Sequence, residues 1–88
     1  MKYTCPCCGY KTLNGEPPGT FEICEICFWE DDYTQFADPD YEGSANVPSL
    51  KQAQKNFILV GACEEEFVEH VRKPNEKELK DPLWKRIV

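Results

Sequence analysis

Hydrophobic and polar residues alternate over two short stretches near the N-terminus. Residues 10–13 and 21–23 follow the two-residue period of β-strands and are rich in β-branched and aromatic side chains. Asn14-Gly15, a strong turn dipeptide, and the proline-containing run 16–20, which cannot be helical, lie between them. This pattern predicts a β-hairpin formed by the two stretches.

A helical period begins near the middle of the chain. Ser49 followed by Gln52 fits a capping box, and Gly61 suits the left-handed position that ends a helix. The hydrophobic positions between them are spaced to form one buried stripe: Leu50, Ala53, Phe57 and Val60. We therefore predict a main helix over residues 50–60.

The other segments are less regular. Residues 33–48 are acidic and rich in turn residues, which predicts an irregular loop. Cys63, Phe67 and Val71 favour a second short helix near 64–69, and the N-cap pattern at 75–78 favours a last turn before Pro82. Trp84, Ile87 and Leu83 are expected to pack the C-terminal residues back onto the domain.

Together these elements define a small α+β domain. Its predicted parts are a hairpin region (1–32), an acidic loop (33–48) and a mostly helical part (49–88), all within one domain of 88 residues. A domain of this size often needs a metal, disulfides or a partner for stability. The chain contains 6 cysteines, so sulfur is the natural source of that stabilisation.

The cysteine spacing indicates a metal site. Cys5, Cys8, Cys24 and Cys27 form the pattern C-x2-C-x15-C-x2-C, which is typical of sites that hold one structural zinc ion in four thiolates. A two-residue gap lets both sulfurs of a pair reach one ion while the backbone forms a tight turn, called a knuckle. We expect a zinc-ribbon-like hairpin with one knuckle at each end. Two disulfides or unligated thiols are the alternative.

Two further cysteines and one histidine are secondary candidates. Cys7, inside the first knuckle, is poorly spaced for the same ion and is expected to be a packed thiol, although a redox-sensitive thiol or spare ligand is the alternative. Cys63 is expected to be a small buried residue and His70 a surface or half-buried one. Since the sequence shows no catalytic set of nucleophile and base and no phosphate-binding loop, we expect no enzyme activity.

Acids and aromatic residues cluster after the second cysteine pair. Glu30, Asp31 and Asp32 are expected to form a solvated acidic face, with a second cation site as the alternative. The neighbouring aromatic residues are candidates for the core or for an interface with a partner: Phe28, Trp29, Tyr33 and Phe36.

The charge distribution favours a protein partner over a nucleic acid. The formal net charge is -6, and no Lys or Arg occurs between Lys11 and Lys51. Nucleic-acid phosphate would be repelled by that half of the chain, whereas a basic protein partner would be attracted. The N-terminus shows no signal-peptide core, and the longest apolar run, 57–60, cannot cross a membrane. We expect a cytoplasmic protein, in which thiols stay reduced.

Three longer motifs stand out in the N-terminal part of the chain: Cys5-Pro6-Cys7-Cys8-Gly9-Tyr10, Pro17-Pro18-Gly19-Thr20-Phe21-Glu22-Ile23-Cys24 and Cys27-Phe28-Trp29-Glu30-Asp31-Asp32. Residues 49–57, 61–62 and 71–74 belong to the same set of motifs. These motifs resemble the bacterial cysteine-rich CPCC family. The resemblance implies a small zinc-binding protein without an assigned biochemical activity, and it carries the metal role to the four paired cysteines.

Three functions remain open at this stage. The first is a zinc-stabilised module that binds another protein through an acidic, aromatic-rich face between Glu22 and Glu42. The second is a redox protein, either rubredoxin-like or using Cys7 as a thiol switch, although Phe28-Trp29 rather than glycine follows the second pair. The third and least favoured is a nucleic-acid-binding zinc ribbon, using basic residues near the C-terminus.

Overall fold

The computed structural model describes residues 2–87, and its elements are few and short. In chain order they are β1 (Tyr3–Thr4), β2 (Lys11–Leu13), α1 (Tyr33–Ala37), α2 (Leu50–Val60) and a 3-10 turn (Glu65–Phe67). The protein is therefore a small α+β structure with one two-stranded antiparallel hairpin and one main helix, as the sequence predicts.

The partners within the hairpin differ from the prediction. β2 pairs with β1 rather than with residues 21–23, and Ile23 instead forms an isolated bridge with Glu30. Each knuckle thus closes its own turn and pairs the residues that flank it. Residues 10–13 and 21–23, which were expected to pair, are linked by a side chain instead. The carboxylate of Glu22 accepts hydrogen bonds from the amides of Asn14 and Gly15, directly after the first stretch.

The acidic loop is partly helical, which corrects the prediction of an irregular 33–48 segment. Asp32 caps α1 by accepting a hydrogen bond from the amide of Gln35. The side chain of Gln35 is fully buried and donates to the carbonyl oxygens of Tyr41, Asn46 and Pro48. One buried amide side chain therefore organises the rest of the loop.

The main helix has the predicted bounds and caps. Ser49 accepts a hydrogen bond from the amide of Gln52, and Gly61 adopts the left-handed conformation with φ 83°. In a full capping box the side chain of Gln52 would also bond back to the amide of Ser49. Here it donates to the side chain of Asn56 instead. The predicted stripe is buried at its N-terminal end, where Leu50 and Ala53 enter the core, whereas Val60 is 42% exposed.

The C-terminal part is less helical than expected. The predicted helix near 64–69 is the single 3-10 turn, and residues 68–87 form turns and one isolated bridge, between Lys80 and Tyr10. The N-cap pattern at 75–78 closes a turn rather than a helix, because the side chain of Asn75 accepts a bond from the amide of Lys77. Ile87 packs against the core as predicted, whereas the expectation for Leu83 is wrong, because its side chain is 86% exposed.

The core surrounds the cysteines. All 6 cysteines are buried, and they share one cluster with Leu13, Ile26, Trp29, Leu50 and Ala53. Helix α2 contributes Leu50 and Ala53 to this cluster, and its Phe57 packs against it. No helix within residues 2–87 combines the length and apolar character needed to cross a bilayer.

Candidate metal centre

The first knuckle is closed by two backbone hydrogen bonds around Cys5. The amide of Cys5 donates to the carbonyl of Tyr10, and the amide of Gly9 donates to the carbonyl of Cys5, each at 2.9 Å. Gly9 has φ 81°, a left-handed conformation that glycine adopts at little cost. The turn thereby directs the side chains of Cys5 and Cys8 to the same side.

The second knuckle repeats the same arrangement around Cys24. The amide of Cys24 donates to the carbonyl of Trp29 at 2.9 Å, and the amide of Phe28 donates to the carbonyl of Cys24 at 2.7 Å. Phe28 occupies the position equivalent to Gly9 and is also left-handed, with φ 71°. Its ring is held by Phe67, with the ring centroids 4.7 Å apart.

The two knuckles bring the four predicted ligand sulfurs together. The Sγ atoms of Cys5, Cys8, Cys24 and Cys27 all lie within 4.8 Å of one another. The distance between Sγ atoms is 3.6 Å for Cys5 and Cys27, and 3.8 Å for Cys8 and Cys24. Four thiolates about 2.3 Å from a tetrahedral metal ion lie about 3.8 Å from each other, so the donor set fits one such ion. That these sulfurs bind a metal remains a prediction.

These distances do not fit the disulfide alternative. A disulfide requires its two sulfurs to lie about 2.05 Å apart, well below the separations in the cluster. All six cysteines are free thiols in the structure. The arrangement is therefore a cluster of separate sulfur donors.

Burial and mutual contacts shift the pKa values of the four clustered thiols. Hydrogen bonds from Cys27, Cys5 and Cys8, together with one from the hydroxyl of Thr12, lower the pKa of Cys24 far below that of an ordinary thiol. Burial, followed by hydrogen bonding with Cys24, raises the pKa of Cys5 and of Cys27, and hydrogen bonding with Cys24 raises the pKa of Cys8. A dication would replace the remaining protons, since metal ligation requires thiolates.

Polar groups around the cluster were not all apparent from the sequence. The hydroxyl of Thr12 lies 3.0 Å from the Sγ atom of Cys24. The carbonyl of Pro6 accepts hydrogen bonds from the side chains of Gln54 and Trp84, both at 2.9 Å. Thr12 sits in a predicted strand and Gln54 in the predicted helix, but no local pattern indicates that either faces the cysteines.

The other two cysteines lie in the same core. Cys7 is 1% exposed and Cys63 is fully buried. The amide of Cys63 donates to the carbonyl of Cys27 at 2.7 Å, so the segment after α2 is tied to the second knuckle. Burial raises the pKa of the Cys63 thiol, which keeps it protonated. Both residues are packed thiols, although their burial does not test a redox role for Cys7.

His70 and the acidic run occupy positions away from the sulfurs. His70 is exposed, and its ring centroid lies 5.6 Å from that of Phe28. The expectation that Glu30, Asp31 and Asp32 form a solvated face is wrong for two of the three, because Asp31 is fully buried and Asp32 is 3% exposed. Their carboxylates accept hydrogen bonds from backbone amides, two of them in distant segments at Thr20 and Ala45.

These bonds account for the burial of both carboxylates. Asp31 Oδ2 accepts from the amide and the hydroxyl of Thr20, at 2.9 and 2.7 Å, and Asp31 Oδ1 has no protein partner. Asp32 accepts from the amides of Gln35 and Ala45. Although burial acts to raise it, the pKa of Asp32 is lowered by these amides and by the hydroxyl of Ser44. The run fixes loops rather than forming a surface.

The exposed acids and aromatic residues concentrate further along the chain. Trp29 is buried and Phe28 is half-buried, so neither offers an interface. In contrast, six exposed side chains follow one another between residues 33 and 42, and we call them the acidic aromatic patch: Tyr33, Phe36, Asp38, Asp40, Tyr41 and Glu42. The three aromatic members are between 45% and 57% exposed.

The fold and the site together define the class of protein. It is a small α+β domain built around four buried cysteine sulfurs that could hold one metal ion. A family model described as Cysteine-rich CPCC matches residues 3–78, and the chain belongs to this family. This confirms the resemblance noted in the sequence. The search of curated proteins found no match.

Proposed function

We propose that the protein binds one structural zinc ion through Cys5, Cys8, Cys24 and Cys27, and acts as a non-catalytic module that binds another protein. The sulfur separations support the metal site, because they match a tetrahedral thiolate site. The two knuckles, each closing its own hairpin turn, support a zinc-ribbon-like arrangement. The proposal keeps the cytoplasmic setting expected from the sequence, in which thiols remain available to a metal.

The environment of the sulfurs favours a structural role over a catalytic one. Catalytic zinc sites keep one coordination position for water or substrate, whereas structural sites use four protein ligands. Here four sulfurs are within reach of one ion, and each of these residues is at most 1% exposed. A substrate would have no path to a metal ion held among them.

The acidic aromatic patch is the observation that carries the interaction proposal. Exposed aromatic side chains are enriched at the centres of protein interfaces, and a field of one sign steers a partner of the opposite charge. This patch combines three acids with three aromatic residues within ten positions of the chain, and no Lys or Arg lies between Lys11 and Lys51. The partner is therefore expected to be a basic protein surface.

A charge-matched comparison tests this role. In the variant Asp38→Asn/Asp40→Asn/Glu42→Gln, three negative charges leave the acidic aromatic patch while the side-chain shapes remain. In the control, Glu65→Gln/Glu66→Gln/Glu69→Gln, the same charge is removed from exposed positions on and beside the 3-10 turn. Tagged protein is used to capture partners from a cell extract at low and at high salt.

The expected result is a basic partner that the wild type and the control retain at low salt and release at high salt. The patch variant should lose it, since most of the electrostatic attraction is gone. Capture that is unaffected by salt, or lost equally in both variants, would contradict docking through the acidic aromatic patch.

A rubredoxin-like iron protein is the second candidate, because paired knuckles with four thiolates can also hold iron. Four thiolates suit either zinc or iron. Elemental analysis and the visible spectrum of protein purified without added metal distinguish the two. Colourless protein with one zinc per chain supports the structural role, whereas coloured protein with one iron supports electron transfer.

A further inference from the structure

The last described residues are bound to the first knuckle by backbone contacts, and we call residues 79–87 the strap. The amide of Lys11 donates to the carbonyl of Leu79 at 2.9 Å, and the amide of Asp81 donates to the carbonyl of Gly9 at 2.8 Å. Between these bonds, Lys80 forms an antiparallel bridge with Tyr10. The strap thus adds a short strand segment to the outer edge of the knuckle.

Trp84 fixes the strap to the turn that holds Cys5 and Cys8. Its indole Nε1 donates to the carbonyl of Pro6 at 2.9 Å. Its ring lies against Gly9 so closely that a Cβ atom at that position would be 2.7 Å from two ring carbons. The ring of Trp84 therefore fills the space beside Gly9, and a side chain at that position would have to displace it.

The strap also reaches the main helix. The amide of Ile87 donates to the side-chain oxygen of Gln54 at 2.8 Å, and the side-chain nitrogen of Gln54 donates to the carbonyl of Pro6 at 2.9 Å. At the other end, the hydroxyl of Thr4 donates to the carboxylate of Asp81 at 2.6 Å. The strap is thus bonded to β1 through Asp81 and to α2 through Ile87.

Despite these bonds, the strap has few buried contacts. It lies beyond residues 3–78, the part of the chain that the family model matches. Most of its side chains are exposed, and Leu83 is 86% exposed. A segment with few buried contacts opens at a lower free energy than the core that it covers.

We propose that the strap closes the first knuckle, and that Trp84 is the positioning residue through which it slows the exchange of a metal ion held by Cys5 and Cys8. The proposal rests on metal binding by the four sulfurs. Removal of the ion by a competing chelator requires thiolates to separate from it one after another. While Trp84 lies against Gly9 and holds Pro6, the first pair cannot separate. Opening of the strap is therefore the step that limits exchange.

Metal release is measured on the full chain loaded with cobalt(II), because cobalt(II)–thiolate complexes absorb visible light. An excess of EDTA is added, and the decay of the absorbance gives the release rate. Trp84→Ala removes both the ring and the hydrogen bond, and we expect release to be about 10- to 100-fold faster. Trp84→Phe keeps a ring but loses the donor, and we expect an acceleration of about 2- to 10-fold. The control Leu83→Ala should change the rate by less than about twofold.

A second measurement separates local opening from loss of overall stability. In the loaded protein, amide hydrogen exchange should become faster in Trp84→Ala at Lys11 and Asp81, whose bonds join the strap to the knuckle. Exchange at Phe21 and Asp31, which belong to the second hairpin, should remain unchanged.

Three results would overturn the proposal. If Trp84→Ala and Trp84→Phe bind cobalt and release it at the wild-type rate, the strap does not control exchange, although metal binding stands. If exchange accelerates equally at all four amides, Trp84 acts only through overall stability. If the wild type itself binds no cobalt or zinc, the proposed function fails together with this inference.

Discussion

Replacing one buried cysteine by serine should have very different effects at two positions of the same core. Cys24 is 1% exposed and Cys63 is fully buried, and either substitution exchanges one sulfur for one oxygen. Packing alone therefore predicts similar costs. Cys24, however, is one of the four clustered sulfurs, whereas Cys63 is not.

The expected magnitudes follow from what each sulfur contacts. The Sγ atom of Cys24 lies 3.8 Å from that of Cys8 and 3.0 Å from the hydroxyl of Thr12, so its loss leaves three ligands. Structural zinc contributes about 10–16 kcal/mol to folding, which equals or exceeds the total stability of about 5–15 kcal/mol of an ordinary domain. Cys24→Ser should therefore abolish cooperative folding. Cys63→Ser buries a hydroxyl in an apolar site and should cost about 1–3 kcal/mol.

The assay combines thermal unfolding, followed by circular dichroism, with the zinc content of the purified protein. Wild type and Cys63→Ser should contain one zinc per chain and unfold cooperatively, and a chelator should lower both transitions strongly. Cys24→Ser should contain less than one zinc and show no cooperative transition. Equal zinc content and equal melting temperatures in the two variants would refute the assignment of Cys24 as a ligand.

Three further predictions concern residues around the site. Phe28→Gly should be about 1 kcal/mol more stable than Phe28→Ala by chemical denaturation, because both variants lose the ring but only alanine is strained in the left-handed conformation. Equal stability of the two variants would contradict the positive φ of residue 28. Gln35→Leu should cost about 2–4 kcal/mol, because the carbonyl groups of Tyr41, Asn46 and Pro48 each lose a hydrogen bond from this buried side chain, and a melting temperature near that of the wild type would argue against this network. The lowered pKa of Asp32 stabilises the fold above the pKa of the unfolded chain, and this contribution disappears as the pH falls through the folded pKa. The acid-induced loss of stability should therefore be shallower in Asp32→Asn than in the wild type, and identical pH profiles would contradict this.

The site was more predictable from the sequence than the fold around it. A C-x2-C pair fixes its own turn, so the positions of Cys5 and Cys8, and of Cys24 and Cys27, depend mainly on neighbouring residues. The bounds of α2 were equally local, because its caps at Ser49 and Gly61 are adjacent to the helix. The turns of the cysteine pairs and the caps of α2 are set within a few residues and agree with the prediction, whereas the local patterns at 64–69 and 75–78 overstated the helix content.

The strand partner of β2 and the burial of Asp31 and Asp32 depend on distant residues and were not predicted. Strand propensity identified residues 11–13 but not their partner, since closure of the first knuckle, rather than a turn at Asn14-Gly15, selects β1. Asp31 and Asp32 look like surface acids in sequence, but amides of Thr20 and Ala45 make their burial possible. Neither donor is near its acceptor in the chain, so no local pattern reveals these bonds.

The difference between Gly9 and Phe28 links the construction of the two knuckles to their protection. Both positions require a left-handed backbone, which costs a non-glycine residue about 1–2 kcal/mol. Glycine avoids that cost in the first knuckle and, having no Cβ atom, leaves room for the ring of Trp84. Phe28 accepts the strain in the second knuckle, where its contact with Phe67 offsets part of it. The second knuckle is thus covered by a side chain of its own turn, whereas the first depends on residues about 75 positions away, which is why metal exchange should begin at the first pair.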